Sequence, residues 1–130
     1  MSDPDDPAAW VVKADNDLLN IANNLNDAHI PWDTVCFHAQ QAAEKMLKAF
    51  LVSHGLMPPR THDLIALLNQ CFARHTAFAT MESDCRLLLQ YAVESRYPQA
   101  MFEPTEVEGT EAVAAARRVC EFVRIAMRSK

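Results

Sequence analysis

Glycine is nearly missing from this chain: there are two in 130 residues, Gly55 and Gly109, far apart. Phosphate-cradling loops of the P-loop or dinucleotide-binding kind need several glycines at close, fixed spacing, so neither is available. The four cysteines, Cys36, Cys71, Cys85 and Cys120, are scattered and form no CxxC pair. In a reducing compartment they read as free thiols serving as small apolar residues in four different helices. No metal site and no cofactor are expected, and no serine or cysteine nucleophile constellation is present. No apolar run is long enough to span a bilayer, and the opening MSDPDDPAAW lacks the basic and apolar regions of a signal peptide. A cytoplasmic protein without a membrane partner is therefore expected. Positive charge is also scarce, with Lys and Arg numbering 12 against 17 Asp and Glu, a net charge of -5. That balance argues against indiscriminate nucleic-acid binding but leaves room for a local basic groove.

What is abundant is helix-forming sequence. Half the residues are hydrophobic and 22% are charged, an ordinary globular composition, and the length suits a single domain over residues 1–130. Asp6-Pro7 opens a first helix with a cap and a proline at its first turn, and Trp10, Ala14, Leu18, Ile21 and Leu25 form its apolar stripe. HIPWD breaks the chain. A second helix is expected from about Trp32 to His54, ending at Gly55 as a left-handed terminal residue. Thr61 is the expected cap of a third helix holding Leu64, Ile65, Leu67, Leu68, Cys71 and Phe72. A fourth is expected over about Thr80 to Ser95, stopping before Pro98. In the fifth, Thr105 and Glu108 supply a capping box, the helix runs to near Met127, and Arg117, Arg118, Arg124 and Arg128 load its C-terminal half. There is no repeat, linker or low-complexity segment. The expected fold is all-α, an up-and-down bundle of four to five helices.

The second helix has two faces. At 100° per residue Trp32, Cys36, Ala39, Ala43, Met46, Leu47 and Phe50 share one arc, the expected core side. The opposite arc gathers Phe37, His38, Gln41, Glu44, Lys45, Lys48 and Val52, flanked by Ala42 and Ala49. Charged residues alone could make an exposed helix face, since Glu44 and Lys48 form a helix-stabilising i,i+4 pair. Phe37 and Val52 among those charges instead suggest a dimer or partner face made of Phe37, His38, Gln41, Glu44 and Val52.

The stretch FHAQQAAEKMLKAFLVSHGLMPPRTHDL resembles the signature of HEPN domains, and YAVESRYP is similar to that family's tyrosine-arginine-tyrosine-proline segment after the fourth helix. KADNDLL in the first helix adds weaker support. The resemblance implies a HEPN-like bundle, similar to nucleotidyltransferase substrate-binding subunits, that forms a homodimer and is often encoded beside a minimal nucleotidyltransferase. It also implies two activities known in the family: ribonuclease toxins of toxin–antitoxin or defence systems, and nucleotide binding. The ribonuclease members carry an arginine followed after four to six residues by a histidine. Here the positions so spaced from Arg96 hold Met101, Phe102 and Glu103, and those from Arg60 hold Ile65, Ala66 and Leu67. Metal-free RNA cleavage needs a placed acid or base, for which histidine is best suited near neutral pH.

The expected function is therefore a non-catalytic module binding a nucleotide, RNA or partner protein. The alternative is an RNase toxin with a degenerate arginine–histidine motif, using a set such as His38, His62 and Arg96. The expected ligand cleft comprises Lys45, Lys48, His62, Arg96 and Tyr97. Arginine can clamp a phosphate with two parallel hydrogen bonds and tyrosine can stack on a base. Against that, Arg96 could pair with a carboxylate such as Asp17, and Thr61 and Asp63 could simply cap the third helix with His62 packed beside them.

Overall fold

The computed structural model describes residues 4–92 and 103–128, and among these all regular structure is helical. Five α-helices follow one another, α1 (Pro7–Leu25), α2 (Trp32–Ser53), α3 (Leu64–Arg74), α4 (Glu82–Leu89) and α5 (Glu106–Arg128), with a 3-10 helix at Thr76–Met81. The bundle expected from the sequence is present. Its centre is α2, which packs against α1, α3, α4 and α5.

Local chemistry sets most of the helix ends. The Asp6 carboxylate accepts from the Ala8 amide at 2.9 Å, with Pro7 just inside α1. At the end of α2, Gly55 has φ 76°, a conformation glycine reaches without strain. Its amide donates to the Val52 carbonyl at 2.9 Å and the Leu56 amide donates to the Leu51 carbonyl at 3.0 Å. These paired bonds satisfy two of the carbonyls that a helix end would leave open. The capping box of α5 also forms: the Glu108 amide donates to Thr105 Oγ1 at 3.1 Å, and the Thr105 amide donates to Glu108 Oε1 at 2.9 Å.

Two expected boundaries are corrected. Asp63, rather than Thr61, is the cap residue of α3, its Oδ1 accepting from the amides of Ile65 and Ala66 at 2.9 and 3.2 Å. A carboxylate satisfies both amides and meets the positive end of the helix dipole, which a hydroxyl does less well. Thr61 acts one step earlier, with its Oγ1 accepting from the Asp63 amide at 3.0 Å. The single fourth helix is instead a 3-10 helix followed by α4, which ends at Leu89, with Gln90–Ala92 outside the helix. The tighter winding delivers Phe78 into the core, where its ring meets Phe50 at 4.6 Å and Phe122 at 4.9 Å in edge-on geometry. Residues 93–95 of the expected helix lie outside the described residues.

Of the core arc of α2, Cys36, Ala39, Ala43, Met46, Leu47 and Phe50 are buried. Trp32 is partly buried and packs closely against Gly109 of α5, where an added Cβ would lie 2.1 Å from Trp32 Cε3. That close approach is why a glycine interrupts an alanine-rich helix. Phe72, expected among the apolar residues of α3, is instead exposed. All four cysteines are buried and free, and burial pushes their thiols up, Cys36 to about 11 and Cys71, Cys85 and Cys120 to about 12.

Candidate functional site

Because α2 is enclosed on several sides, its polar arc is not a free surface. Gln40, Glu44 and Lys48 are buried, as is Asp17 on α1. Polar groups taken out of water must be paired, and among the described residues every buried side-chain nitrogen and oxygen has a hydrogen-bond partner.

Two carboxylates organise this polar set. Glu44, 3% exposed, accepts at Oε2 from Lys48 Nζ at 3.0 Å, and at Oε1 from His62 Nδ1 at 2.8 Å and from Gln40 Nε2 at 3.2 Å. Gln40 also donates to the backbone carbonyl of His62 at 3.2 Å and accepts from Gln41 at 2.8 Å. Glu44 thereby joins α2 to the chain leading into α3. A carboxylate only accepts, so the contact is donated by Nδ1 of His62. The His62 side chain is 68% exposed.

Asp17 repeats the arrangement farther around the same polar arc of α2. It accepts from Lys45 Nζ at 2.7 Å and from His38 Nδ1 at 2.8 Å. Each cluster combines one buried carboxylate, one lysine and one histidine, and the second fastens α1 to α2.

Beside the Glu44 cluster lies a cavity of about 320 Å³, lined by Pro4, Asp5, Trp10, Lys48, Met57, Pro58, Pro59 and Arg60. Lys48 Nζ stands 5.6 Å from the centre of the Trp10 ring, a cation–π contact. The indole N–H of Trp10 donates to the Pro4 carbonyl at 2.9 Å, which fixes the ring. Arg60 is exposed on the connection between α2 and α3. A second recess of about 210 Å³ is lined by Asp5, Val52, Gly55, Leu56 and Met57.

The residues expected to form one cleft are thus divided. Lys48 and His62 meet through Glu44, and Lys48 lines the cavity. Lys45 belongs to the Asp17 cluster. Arg96 and Tyr97 lie outside the described residues. On the expected partner face, Phe37, His38 and Gln41 are half-buried, whereas Glu44 and Val52 are already buried within the chain. Val52 therefore has little apolar surface to offer a second molecule. Reading from sequence missed Asp17 and Gln40 as buried organisers, and Trp10 and Arg60 as cavity residues. The stiff MPPR turn, which ends on this arginine, was the available signal for Arg60.

The family model described as HEPN domain matches residues 8–126 of the chain. The chain belongs to the HEPN family. This HEPN domain is similar in fold to a solved structure described as the crystal structure of ST0689, an archaeal HEPN homologue. The two share 24% sequence identity with a TM-score of 0.73, the match covering 94% of this chain and 98% of that one. No curated protein matches it. Among the described residues, no helix is long and apolar enough to cross a membrane, and no group of three or more His, Cys, Asp and Glu could hold a metal ion.

Proposed function

We propose that this HEPN domain is a non-catalytic module that binds a nucleotide or an RNA end in the Trp10–Lys48–Arg60 cavity. It works as a homodimer and partners a minimal nucleotidyltransferase in a toxin–antitoxin or defence-type pair. The observation that supports the binding role is the convergence of an aromatic ring, a buried lysine and an exposed arginine on one cavity. Aromatic faces stack on bases and arginine meets phosphate with two parallel bonds. The non-catalytic part rests on the absent arginine–histidine spacing. Phe37, His38 and Gln41, half-buried along α2, are the residues left for the dimer or partner contact.

One observation favours the ribonuclease alternative. His62 is held by a buried carboxylate with its second nitrogen directed away from that bond, the arrangement of an oriented general base. Incubating the purified protein with total cellular RNA tests the choice. The binding reading expects intact RNA and tolerated expression. Cleavage that His62→Ala abolishes would establish the ribonuclease reading instead.

A further inference from the structure

The charges around the cavity limit what it can hold. Two cations, Lys48 and Arg60, and one carboxylate, Asp5, line it. Lys48 is already matched by Glu44 at 3.0 Å, so that pair brings no net charge to a ligand. Arg60 makes no hydrogen bond or ion pair among the described residues. With Lys48 offset by Glu44, Arg60 is left as the one lining cation for a ligand's charge, among the described residues. A ligand with several negative charges would lose hydration without finding matching cations, an unfavourable exchange. A single anionic group can be met by the planar fork of Arg60, with the remaining N–H groups of Lys48 close by.

The walls specify the rest of the ligand. Trp10 and the paired rings of Pro58 and Pro59 present rigid apolar faces, and the Trp10 ring is held in place by its bond to Pro4. Flat rings pack well on such faces. The volume of about 320 Å³ lies at the small end of the roughly 300–1,000 Å³ usual for ligand pockets. Space toward the second recess offers no relief to a polyphosphate tail. Its lining adds Val52, Gly55 and Leu56 but no cation, and shares Asp5.

We infer that the cavity selects a small ligand with one flat ring and one anionic group, a monophosphate or a carboxylate, over di- and triphosphates and over internal RNA phosphates, whose chain continues on both sides beyond a cavity of about 320 Å³. This rests on the reading of the cavity as a ligand site. Calorimetric titration of the full chain with adenosine, adenosine monophosphate, adenosine triphosphate, indole-3-carboxylate and a short RNA lacking terminal phosphates tests both. Adenosine monophosphate or indole-3-carboxylate, or both, should bind at least tenfold more tightly than adenosine, the triphosphate or the RNA. Which of the two binds distinguishes phosphate from carboxylate. Arg60→Glu, an exposed loop substitution whose folding is checked by circular dichroism, should weaken that binding at least tenfold. Triphosphate or RNA binding as tight as the monophosphate, and sensitive to Arg60→Glu, would overturn the selectivity while keeping the cavity as a ligand site. No binding by any of the five, or binding indifferent to Arg60→Glu, would remove the site itself.

Discussion

Glu44 and Lys48 stand one turn apart on α2, joined at 3.0 Å with side chains only 4% and 10% exposed. On an exposed helix such a pair contributes a few tenths of a kcal/mol. Here both charges are largely withdrawn from water. Removing one partner of a buried pair typically costs about 3–5 kcal/mol, because the other is left uncompensated.

Glu44→Gln should therefore destabilise the bundle by several times what a surface substitution does. Adding Lys48→Met should recover much of the loss by removing the stranded charge. Urea unfolding of wild type, the single variant and the double variant measures this. A Glu44→Gln variant within about 0.5 kcal/mol of wild type, the surface range, would mean that the pair is solvated after all.

Gly109 gives a test of sign. Glycine inside a helix is about 1 kcal/mol worse than alanine, so on propensity alone Gly109→Ala stabilises α5. The new Cβ would sit 2.1 Å from Trp32 Cε3, and overpacking usually costs about 1–3 kcal/mol. The expected outcome is a lower melting temperature, partly restored when Trp32→Leu makes room. A raised melting temperature for Gly109→Ala would show that Trp32 moves aside freely.

The cysteines set an alkaline limit. Burial holds Cys36 at about 11 and Cys71, Cys85 and Cys120 at about 12, against an ordinary value of 9.0. Tyr91, also raised by burial, goes from 10.0 to about 12. Between these limits the unfolded chain releases protons that the folded chain keeps, so stability falls as pH rises. The contribution is fully present below about pH 9 and is lost between about 9 and 12. The urea midpoint should drop between pH 8 and pH 10.5, and a thiol reagent at pH 8 should label the folded protein far more slowly than the unfolded chain. An unchanged midpoint and fast labelling of the folded chain would contradict the burial.

Much of the frame was legible from local chemistry. Asp6-Pro7, Gly55 and the Thr105–Glu108 box act within a few residues of themselves, so their sequence spacing is the whole of their mechanism. The α4 region was less legible because the 3-10 winding answers to Phe78 packing on Phe50 and Phe122, partners far away in sequence. The same holds for the polar arc of α2. Its residues were correctly separated from the core arc, but helical periodicity cannot reveal that α1 and the α3 entry cover that side. Asp17, 21 positions from His38 and 28 from Lys45, turns two apparent surface groups into a buried tie. Of the described residues of the expected cleft, Lys48 lines the cavity and Lys45 and His62 do not, and all three are held by carboxylates whose contacts depend on the fold.

A ligand in this cavity sits beside Trp10. The chain contains two tryptophans, and only Trp10 lines the cavity while Trp32 packs on Gly109. Their indole N–H groups give separate signals in a proton–nitrogen correlation spectrum, so one titration with adenosine monophosphate reports on both places at once. Ligand binding in the cavity should give a saturable shift of the Trp10 indole signal, an unmoved Trp32 signal, and loss of the shift in Arg60→Glu. A Trp10 signal that stays fixed while binding is detected calorimetrically, or equal movement of both indoles, would contradict it.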